Sequence, residues 1–446
     1  MSTGPQSRRY GHPSVPPALR PRLPAATSTG TVVIGAGQAG LALSHCLTER
    51  GHDHVLLERG RTAERWRSQR WDSLRLLTPN WMTRLPGHHY DGQDPDGFMT
   101  AVEAAGMFDA YAASFDAPIV EGAEVEQVIH DGCRFLVRTA SGTWRADNVV
   151  VATGWCDLPA VPKLARHLSP RIHQVVPANY RKPGDVPDGG VLVVGASATG
   201  VQLADELHRA GHPTTIAVGS HLRMPRRYRG MDICWWLDHI GAFDRSVDEI
   251  NDLRAARAEP SLQLAGRPDH STLDLARLQA DGVRLAGRLA GADGVRVAFD
   301  SGLQATLATA EARMERLLTR IDGAITRAGL EDEVLDAEPL PVVSPVAVPR
   351  SLDLESAGIT SVLWATGYRR RYPWLALPVL DARGEIVQRR GITPFPGVYV
   401  VGQRLQHRRS SSFIDGVGRD AEYVASHIAT RRKRRTELAA LLLARA

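Results

Sequence analysis

TVVIGAGQAGLAL, at residues 31–43, carries the strongest structural signal in the chain. A run of β-branched residues leads into a glycine-rich turn, Gly35-x-Gly37-x-x-Gly40, which is followed by small and apolar residues at helical spacing. This pattern predicts a buried parallel strand, a tight turn and a helix whose N-terminal N–H groups face a pyrophosphate. We therefore predict a strand over 31–35, a helix over 38–50 and a second strand over 54–58.

The second predicted strand ends at Glu58, where an acidic residue binds the ribose hydroxyls of an adenine dinucleotide. A glycine turn that served packing alone would not require an acid at this position. The segment therefore predicts a site for an adenine dinucleotide such as FAD. The expected contacts are Gly35, Gly37, Gln38, Ala39, Gly40, Glu58 and Arg59.

A second glycine turn occurs in VLVVGASATGVQL, at residues 191–203, with a serine in the middle position. The strand that follows, TTIAVG (214–219), ends without an acid and leads into Ser220 and several arginines, including Arg223. Positive charge there favours a 2′-phosphate over a free hydroxyl, so we predict NADPH rather than NADH; the alternative is a solvated basic loop. The expected contacts are Gly195, Ser197, Ala198, Thr199, Gly200, Ser220 and Arg223.

Two further segments repeat each other, NVVVATGW (148–155) and SVLWATGY (361–368). Small residues at the end of a strand let the backbone pass close to a dinucleotide, which makes Thr153, Gly154, Thr366 and Gly367 candidate contacts. GVYVVGQ (397–403) ends another strand at Gly402 and Gln403, and a helix predicted over 413–428 could direct its positive end at a cofactor.

Composition limits the possible functions. The 446 residues carry a net charge of +5, spread along the chain, which does not indicate a nucleic-acid partner. The sequence has no apolar run long enough to span a membrane. The four cysteines form no C-x-x-C pair, which argues against a disulfide framework, a zinc ribbon or a redox dithiol, and suits the cytoplasm. We expect no metal site, and a disordered tail over residues 1–29.

These motifs, in this order, resemble the class B flavin-containing monooxygenases, which include the plant YUCCA-type enzymes. Trp66 and the span from Thr78-Pro79-Asn80 to Leu85-Pro86 match the family segment that runs under the flavin. The resemblance implies that NADPH reduces FAD, that the reduced flavin forms a C4a-(hydro)peroxide with O2, and that one oxygen atom passes to a small organic substrate. Thr78 and Asn80 are the candidates for hydrogen bonding near the reacting flavin.

The linker before the second turn departs from the family pattern F-x-G-x-x-x-H-x-x-x-(Y/W). Tyr180 fits its end, but Val176 stands at the histidine position and the nearest histidine is His173. The resemblance therefore favours N- or S-oxidation or hydroxylation over Baeyer–Villiger oxygenation. An NADPH oxidase or flavin reductase, and a non-catalytic nucleotide-sensing flavoprotein, remain alternatives.

The predicted architecture is an α/β fold with two Rossmann-like domains, the NADPH domain being inserted in the FAD domain. We assign 30–160 and 360–430 to the FAD domain, 161–359 to the NADPH domain with a helical insertion over about 245–340, and 431–446 to a basic tail. Apolar residues at helical spacing over 302–329 predict a long amphipathic helix that packs on the NADPH domain or in a homodimer. Trp155, Trp235, Trp236, Trp364 and Trp374 are expected in the core or along a substrate channel.

Overall fold

The computed structural model describes residues 26–344 and 349–443. Its helices are α1 Gln38–Thr48, α2 Glu64–Ser68, α3 Ala101–Ser114, α4 Ala198–Arg209, α5 Ile233–His239, α6 Leu253–Ala258, α7 Leu275–Ala280, α8 Leu303–Ala328 and α9 Ile414–Leu443. Its strands are β1 Thr27–Ile34, β2 His54–Leu57, β3 Ile119–Val120, β4 Val125–His130, β5 Phe135–Thr139, β6 Gly142–Val151, β7 Leu158–Pro159, β8 His173–Val175, β9 Gly190–Val194, β10 Thr214–Ala217, β11 Arg227–Tyr228, β12 Met231–Asp232, β13 Arg284–Ala286, β14 Leu289–Asp293, β15 Arg296–Phe299, β16 Ser351–Asp353, β17 Ile359–Trp364, β18 Tyr368–Arg369 and β19 Val398–Val400.

The first sheet has the strand order β3-β2-β1-β6-β5-β4, with β19 beside β6. Strands β3, β2, β1, β6 and β19 run parallel, whereas β4, β5 and β6 form an antiparallel meander. Val32 and Val33 of β1 are fully buried, because a parallel strand covered on both faces must be apolar throughout. The chain leaves β1 toward β2 on one side while β6 lies on the other, which creates the topological switch point where dinucleotides bind.

The second sheet has the order β13-β10-β9-β17-β8, and all its pairs are parallel. It is formed between β6 and β19 of the first sheet, so the second Rossmann-like unit is inserted in the first. The predicted α/β class with two such units is confirmed. The short pair β7 and β18 runs antiparallel where the chain crosses between the two units in either direction.

The structure differs from the predicted domain organisation in three places. Strand β1 begins at Thr27 and pairs with Trp144 of β6, so the last residues of the expected tail belong to the sheet, and residues 1–25 lie outside the described part. Strand β17 pairs with β9, which places the segment 359–364 in the second sheet rather than in the returning part of the first. The 245–340 insertion also contains the strands β13, β14 and β15.

Helix α8 confirms the amphipathic helix predicted over 302–329. Its buried residues are Leu303, Ala310, Met314, Ile321 and Ile325, which share one face at helical spacing. Ile321 and Ile325 pack in a cluster with Trp236 and Tyr228, so this face rests on the body of the same chain. Gly329 ends the helix in a left-handed conformation, with a φ of 63°.

Candidate functional site: a cleft between two glycine turns

A cleft of about 1500 Å³ runs between the two sheets. This volume exceeds the range of roughly 300–1,000 Å³ that is usual for a single small ligand. Most of the residues predicted from the sequence border it. They are Gly35, Gly37, Gln38, Ala39, Glu58, Arg59, Trp66, Thr78, Thr153, Gly154, Gly195, Ser197, Ala198, Thr199, Ser220, Thr366, Gly367 and Gly402.

The two glycine turns have the same local geometry. Gly35 has a φ of +107°, and a Cβ there would lie 2.8 Å from the carbonyl oxygen of Ala152; Gly195 has a φ of +110°, and its Cβ would lie 2.4 Å from the oxygen of Ala365. Each Ala-Thr-Gly segment therefore crowds the glycine turn of its own sheet. Only glycine tolerates both the positive φ and the close approach of the alanine carbonyl. This explains why each glycine turn is accompanied by an Ala-Thr-Gly segment.

The last glycine of each turn has a packing role. A Cβ on Gly40 would lie 1.9 Å from the oxygen of Gly35, and a Cβ on Gly200 would lie 1.9 Å from the oxygen of Gly195. Gly200 is buried and does not border the cleft, and neither does Gly40. These two predicted contacts therefore act by letting the helix approach the strand.

The middle position of the first turn fits a pyrophosphate. A Cβ on Gly37 would meet no atom of the protein within 4 Å, although the residue borders the cleft at the start of α1. The side chain of Gln38 donates to the carbonyl oxygen of Ser412 at 2.8 Å, which ties this helix start to the segment that begins α9. The space beside two helix N-termini is suited to an anionic group.

Glu58 is held in place by the first turn. Its Oε2 accepts a hydrogen bond from the backbone N–H of Ala36 at 2.8 Å, and its Oε1 accepts one from Gly60 at 3.1 Å. The carboxylate therefore sits at the end of β2 with a fixed orientation, where an acid can accept hydrogen bonds from ribose hydroxyls. Together with the open space at Gly37, this arrangement fits the adenosine and pyrophosphate of FAD.

The structure corrects the role expected for Arg223. Its guanidinium is buried and donates to Asp274 at 2.9 Å, to Glu311 of α8 and to the carbonyl oxygen of Pro341. It does not border the cleft. Asp274 and Glu311 lie in the insertion, whereas Arg223 follows β10 of the second sheet. The side chain therefore fastens the insertion to the second unit.

Arg288 is one of several cleft-lining arginines that the sequence analysis did not predict. It is exposed and borders the cleft shortly after β13; its backbone N–H donates to Asp300 at 3.2 Å, but its guanidinium forms no ion pair among the described residues. Strand β13 lies next to β10, whose continuation leads to Ser220. Arg288 and Ser220 therefore stand after neighbouring parallel strands, at the sheet edge where the adenosine of the second dinucleotide is expected.

Two other predicted residues are engaged inside the protein. Asn80 is buried, its amide donates to the oxygen of Asp94 at 2.9 Å, and its Oδ1 accepts from the N–H of Met99 at 2.9 Å. Gln403 is also buried and donates to the hydroxyl of Tyr372 at 2.8 Å. Neither borders the cleft, so of the pair Thr78 and Asn80 only Thr78 reaches it.

Of the altered linker, Pro177 borders the cleft, whereas His173, Val176 and Tyr180 do not. His173 is exposed on β8, where it pairs with Ser361 of β17, and Val176 packs against an apolar cluster of the second unit. Of the five tryptophans expected in the core or along a channel, Trp155, Trp364 and Trp374 border the cleft. Trp236 is fully buried, and its Nε1 donates to the oxygen of Tyr228 at 2.8 Å, so it belongs to the core.

Cys156 also borders the cleft, directly after Trp155. Burial raises the pKa of its thiol, and the nearby arginines Arg70, Arg65 and Arg404 lower it only in part. The protonated form is therefore favoured at neutral pH, and a protonated thiol is a poor nucleophile. In the part of the chain that the structure describes, all four cysteines are free and no group of three metal-ligating side chains occurs.

Comparisons with known proteins indicate the family of this chain. Residues 32–230 match the model of the pyridine nucleotide-disulphide oxidoreductase family. An uncharacterized CzcO-like oxidoreductase of Geobacillus kaustophilus is 30% identical over 402 residues, which cover 89% of this chain and 97% of the relative. The indole-3-pyruvate monooxygenase YUCCA6 of Arabidopsis thaliana is 30% identical over 219 residues, 45% of this chain and 51% of that protein.

A solved flavin-containing monooxygenase from Stenotrophomonas maltophilia shares the fold. It is 18% identical, with a TM-score of 0.63, and the match covers 91% of this chain and 99% of that one. No helix in the described residues is long and apolar enough to cross a membrane. The chain belongs to the family of CzcO-like oxidoreductases, and its predicted resemblance to the class B flavin monooxygenases is confirmed.

Proposed function

We propose that this CzcO-like oxidoreductase is an NADPH-consuming monooxygenase that transfers one oxygen atom from O2 to a small organic substrate. The observation that carries the proposal is the meeting of the two glycine turns, Gly35–Gly40 and Gly195–Gly200, at one continuous cleft. Two dinucleotides held at these turns would share that cleft, which is the arrangement that hydride transfer from a nicotinamide to a flavin requires. FAD, when bound, supplies hydride acceptance and the activation of O2.

The protein side of the reaction is positioning. Gly37 and the start of α1 would hold the pyrophosphate of FAD, and Glu58 would bind its ribose. The second dinucleotide would lie against Ser197 at the start of α4. Ser220 and Arg288 would contact its 2′-phosphate, since a guanidinium without an acidic partner is suited to a phosphate.

The substrate would lie beside Thr78, whose segment follows Trp66 along the cleft. Phe243, Leu262 and Phe413 supply apolar surface to the same cavity, and such surface excludes water from the reacting groups. Thr78 would hold or orient a polar atom there through its hydroxyl. We propose N- or S-oxidation or hydroxylation as the reaction, because a nucleophilic substrate needs no acid–base pair from the protein.

We place the enzyme in the cytoplasm, because the four cysteines are free in the described residues and a reducing compartment keeps them so. The alternatives differ in measurable products. An NADPH oxidase or flavin reductase would convert all O2 into hydrogen peroxide, a Baeyer–Villiger enzyme would turn cyclic ketones into lactones, and a nucleotide sensor would not oxidise NADPH.

The test is a screen of the FAD-loaded protein for substrate-stimulated NADPH consumption, with mass spectrometry of the products. We expect flavin reduction by NADPH without O2, and a product heavier by one oxygen atom when O2 and a substrate are present. A flavin that NADPH does not reduce would overturn the proposal. Complete conversion of O2 into hydrogen peroxide over the whole screen would replace it by the oxidase alternative.

A further inference from the structure

One wall of the cleft carries four arginines, Arg257, Arg370, Arg404 and Arg409, which we call the arginine wall. Two of them have carboxylate partners. Arg370 pairs with Glu385 at 2.6 Å, and Arg409 pairs with Glu259 at 3.3 Å. Because these carboxylates are already matched, the wall keeps an excess of positive charge.

The excess resides on Arg257 and Arg404. Arg404 is partly buried, and its guanidinium stands over the ring of Trp155 at 5.8 Å from the centroid. Arg257, at the end of α6, donates to the carbonyl oxygen of Leu405 at 3.1 Å, directly beside Arg404 in the chain. Neither arginine has a carboxylate partner within the described residues.

Both arginines are in surroundings that disfavour a cation. Burial lowers the pKa of Arg257 and the charge of Arg370 lowers it further, while Glu385 acts in the opposite direction. Burial and then Arg409 lower the pKa of Arg404, while Glu259 and Cys156 act in the opposite direction. A charge held partly out of water is costly unless an opposite charge meets it. An anion that entered the cleft at this point would therefore be stabilised by two guanidinium groups.

The two glycine turns do not include these arginines. The pyrophosphates of the two dinucleotides are expected at the glycine turns and at the starts of α1 and α4, and Arg288 faces the cleft for a 2′-phosphate. Arg257 and Arg404 belong to neither turn. They come from the insertion and from the segment after β19, which are joined where the N–H of Arg409 donates to the oxygen of Arg245 at 3.1 Å.

We propose that Arg257 and Arg404 form an anion subsite for the substrate, and that the substrate is an apolar organic acid held by its carboxylate. The apolar part would lie along Phe243, Leu262, Leu264 and Phe413, which border the same cleft. Two guanidinium groups match the oxygens of a carboxylate, and the apolar wall excludes water from the rest of the molecule. This inference rests on the proposed function, of which it specifies the substrate class.

The experiment compares organic acids with their amides, using the FAD-loaded enzyme and a panel of aryl and alkyl skeletons that includes 3-phenylpropanoate and 3-phenylpropanamide. Binding is measured by calorimetry, and NADPH consumption is measured in parallel. We expect the acids to bind at least tenfold more tightly than the amides, a difference of about 1.4 kcal/mol, because hydrogen bonds from a guanidinium to a carboxylate are charge-assisted.

The variants are Arg257→Gln, Arg404→Gln, the double variant, and Arg404→Lys, which keeps the charge. The control is Arg254→Gln, an exposed arginine of α6 that does not border the cleft. We expect the preference for acids to be lost in the double variant, retained in part in Arg404→Lys and unchanged in the control.

Equal binding of acids and amides by the wild type would overturn the subsite, and so would an acid preference that persists in the double variant. A tenfold rise in KM for NADPH or a loss of FAD in the double variant, with the acid preference unchanged, would assign the arginines to a cofactor phosphate instead. Reduction of the flavin by NADPH is read separately. Its failure would contradict the proposed function, whereas calorimetry would still test the subsite.

Discussion

The guanidinium of Arg223 and the carboxylate of Asp274 are joined at 2.9 Å inside the second unit, and both side chains are almost fully buried. Asp274 also accepts from the N–H of Arg277 at 2.9 Å and so caps α7. An arginine that looks like a phosphate ligand in the sequence therefore joins a capping aspartate to α8 through Glu311. Because Arg223 is engaged in this way, we propose Arg288 in its place as the 2′-phosphate contact.

The first prediction concerns stability. Arg223→Met should lower the free energy of unfolding by about 3 kcal/mol, because removing one partner of a buried ion pair leaves the other charge uncompensated. KM for NADPH should stay within twofold of the wild type if the variant is assayed below its melting temperature. Arg227→Met, at an exposed position of β11, is the control and should change neither quantity. A selective loss of NADPH affinity in Arg223→Met, with stability intact, would restore the original assignment.

The second prediction concerns nucleotide choice. Arg288→Ala should raise KM for NADPH tenfold or more and leave KM for NADH unchanged, because a charge-assisted contact with a 2′-phosphate contributes about 1.5–3 kcal/mol. Arg284→Ala is the matched control, since Arg284 is exposed on β13 and does not border the cleft. The measurement is KM for NADPH and for NADH in the wild type and both variants, by steady-state kinetics. Equal use of NADPH and NADH by the wild type would contradict it.

The third prediction concerns FAD. Gly37→Val should fold and lose the flavin, because its side chain would meet no protein atom near its Cβ and would fill the space beside the start of α1. Gly106→Val, in α3, also meets open space and should keep its flavin. Flavin absorbance per protein and circular dichroism are the measurements. A folded Gly37→Val protein with full FAD content would show that the pyrophosphate lies elsewhere.

The glycine turns, Glu58 and the Ala-Thr-Gly segments were predictable from the sequence because each depends on contacts within a few residues or on a standard strand–turn–helix unit. The placement of Arg223 was not, since its partners Asp274 and Glu311 come from distant elements. Arg288 was missed because no motif surrounds it. The role that we propose for it rests on the pairing of β10 with β13.

The boundary between the two units also depends on contacts between distant segments, which the sequence motifs do not show. The sequence shows an apolar strand ending in Ala-Thr-Gly at 361–367, but not the sheet that it joins. Trp364 pairs with Val194 of β9, so this strand lies in the second sheet and crowds Gly195 rather than Gly35. Strand pairing between distant segments depends on the whole fold, whereas the turn chemistry is local.

The fourth prediction concerns the pH dependence of stability that arises from Asp420, in the second turn of α9. Burial raises the pKa of Asp420 to about 7, although Ser411 and Arg408 act in the opposite direction. His407 is the other titratable group close to it, at 3.7 Å. Because the pKa in the folded state lies above that in the unfolded state, the contribution of Asp420 to stability is greatest at acidic pH. It is lost as the pH rises through about 7.

Asp420→Asn should therefore unfold at a higher temperature than the wild type above neutral pH, with the difference shrinking in acid. Thermal unfolding followed at several pH values is the measurement. Asp415→Asn, near the start of the same helix, is the comparison, because its pairing with Arg84 would be lost and the variant should be less stable. A constant difference between Asp420→Asn and the wild type across the pH range would contradict the assignment.

The fifth prediction concerns coupling. Because Val176 packs in an apolar cluster where the family pattern has a histidine, we expect NADPH oxidation without substrate, with part of the O2 released as hydrogen peroxide. A bound substrate should raise the rate and lower the share of peroxide, since it excludes water from the cleft. Parallel assays of NADPH consumed and hydrogen peroxide formed give the fraction of turnover that is uncoupled. Fully coupled turnover, with no peroxide at any substrate concentration, would contradict this expectation.

Whether this chain transfers an oxygen atom from O2 to a substrate is tested by following isotopically labelled O2 during NADPH turnover with a substrate found in the screen. We expect mass spectrometry to find one labelled oxygen atom in each product molecule, with one NADPH consumed for each coupled turnover. A product that carries oxygen from water, or labelled oxygen found only in hydrogen peroxide and water, would contradict the proposed oxygen transfer.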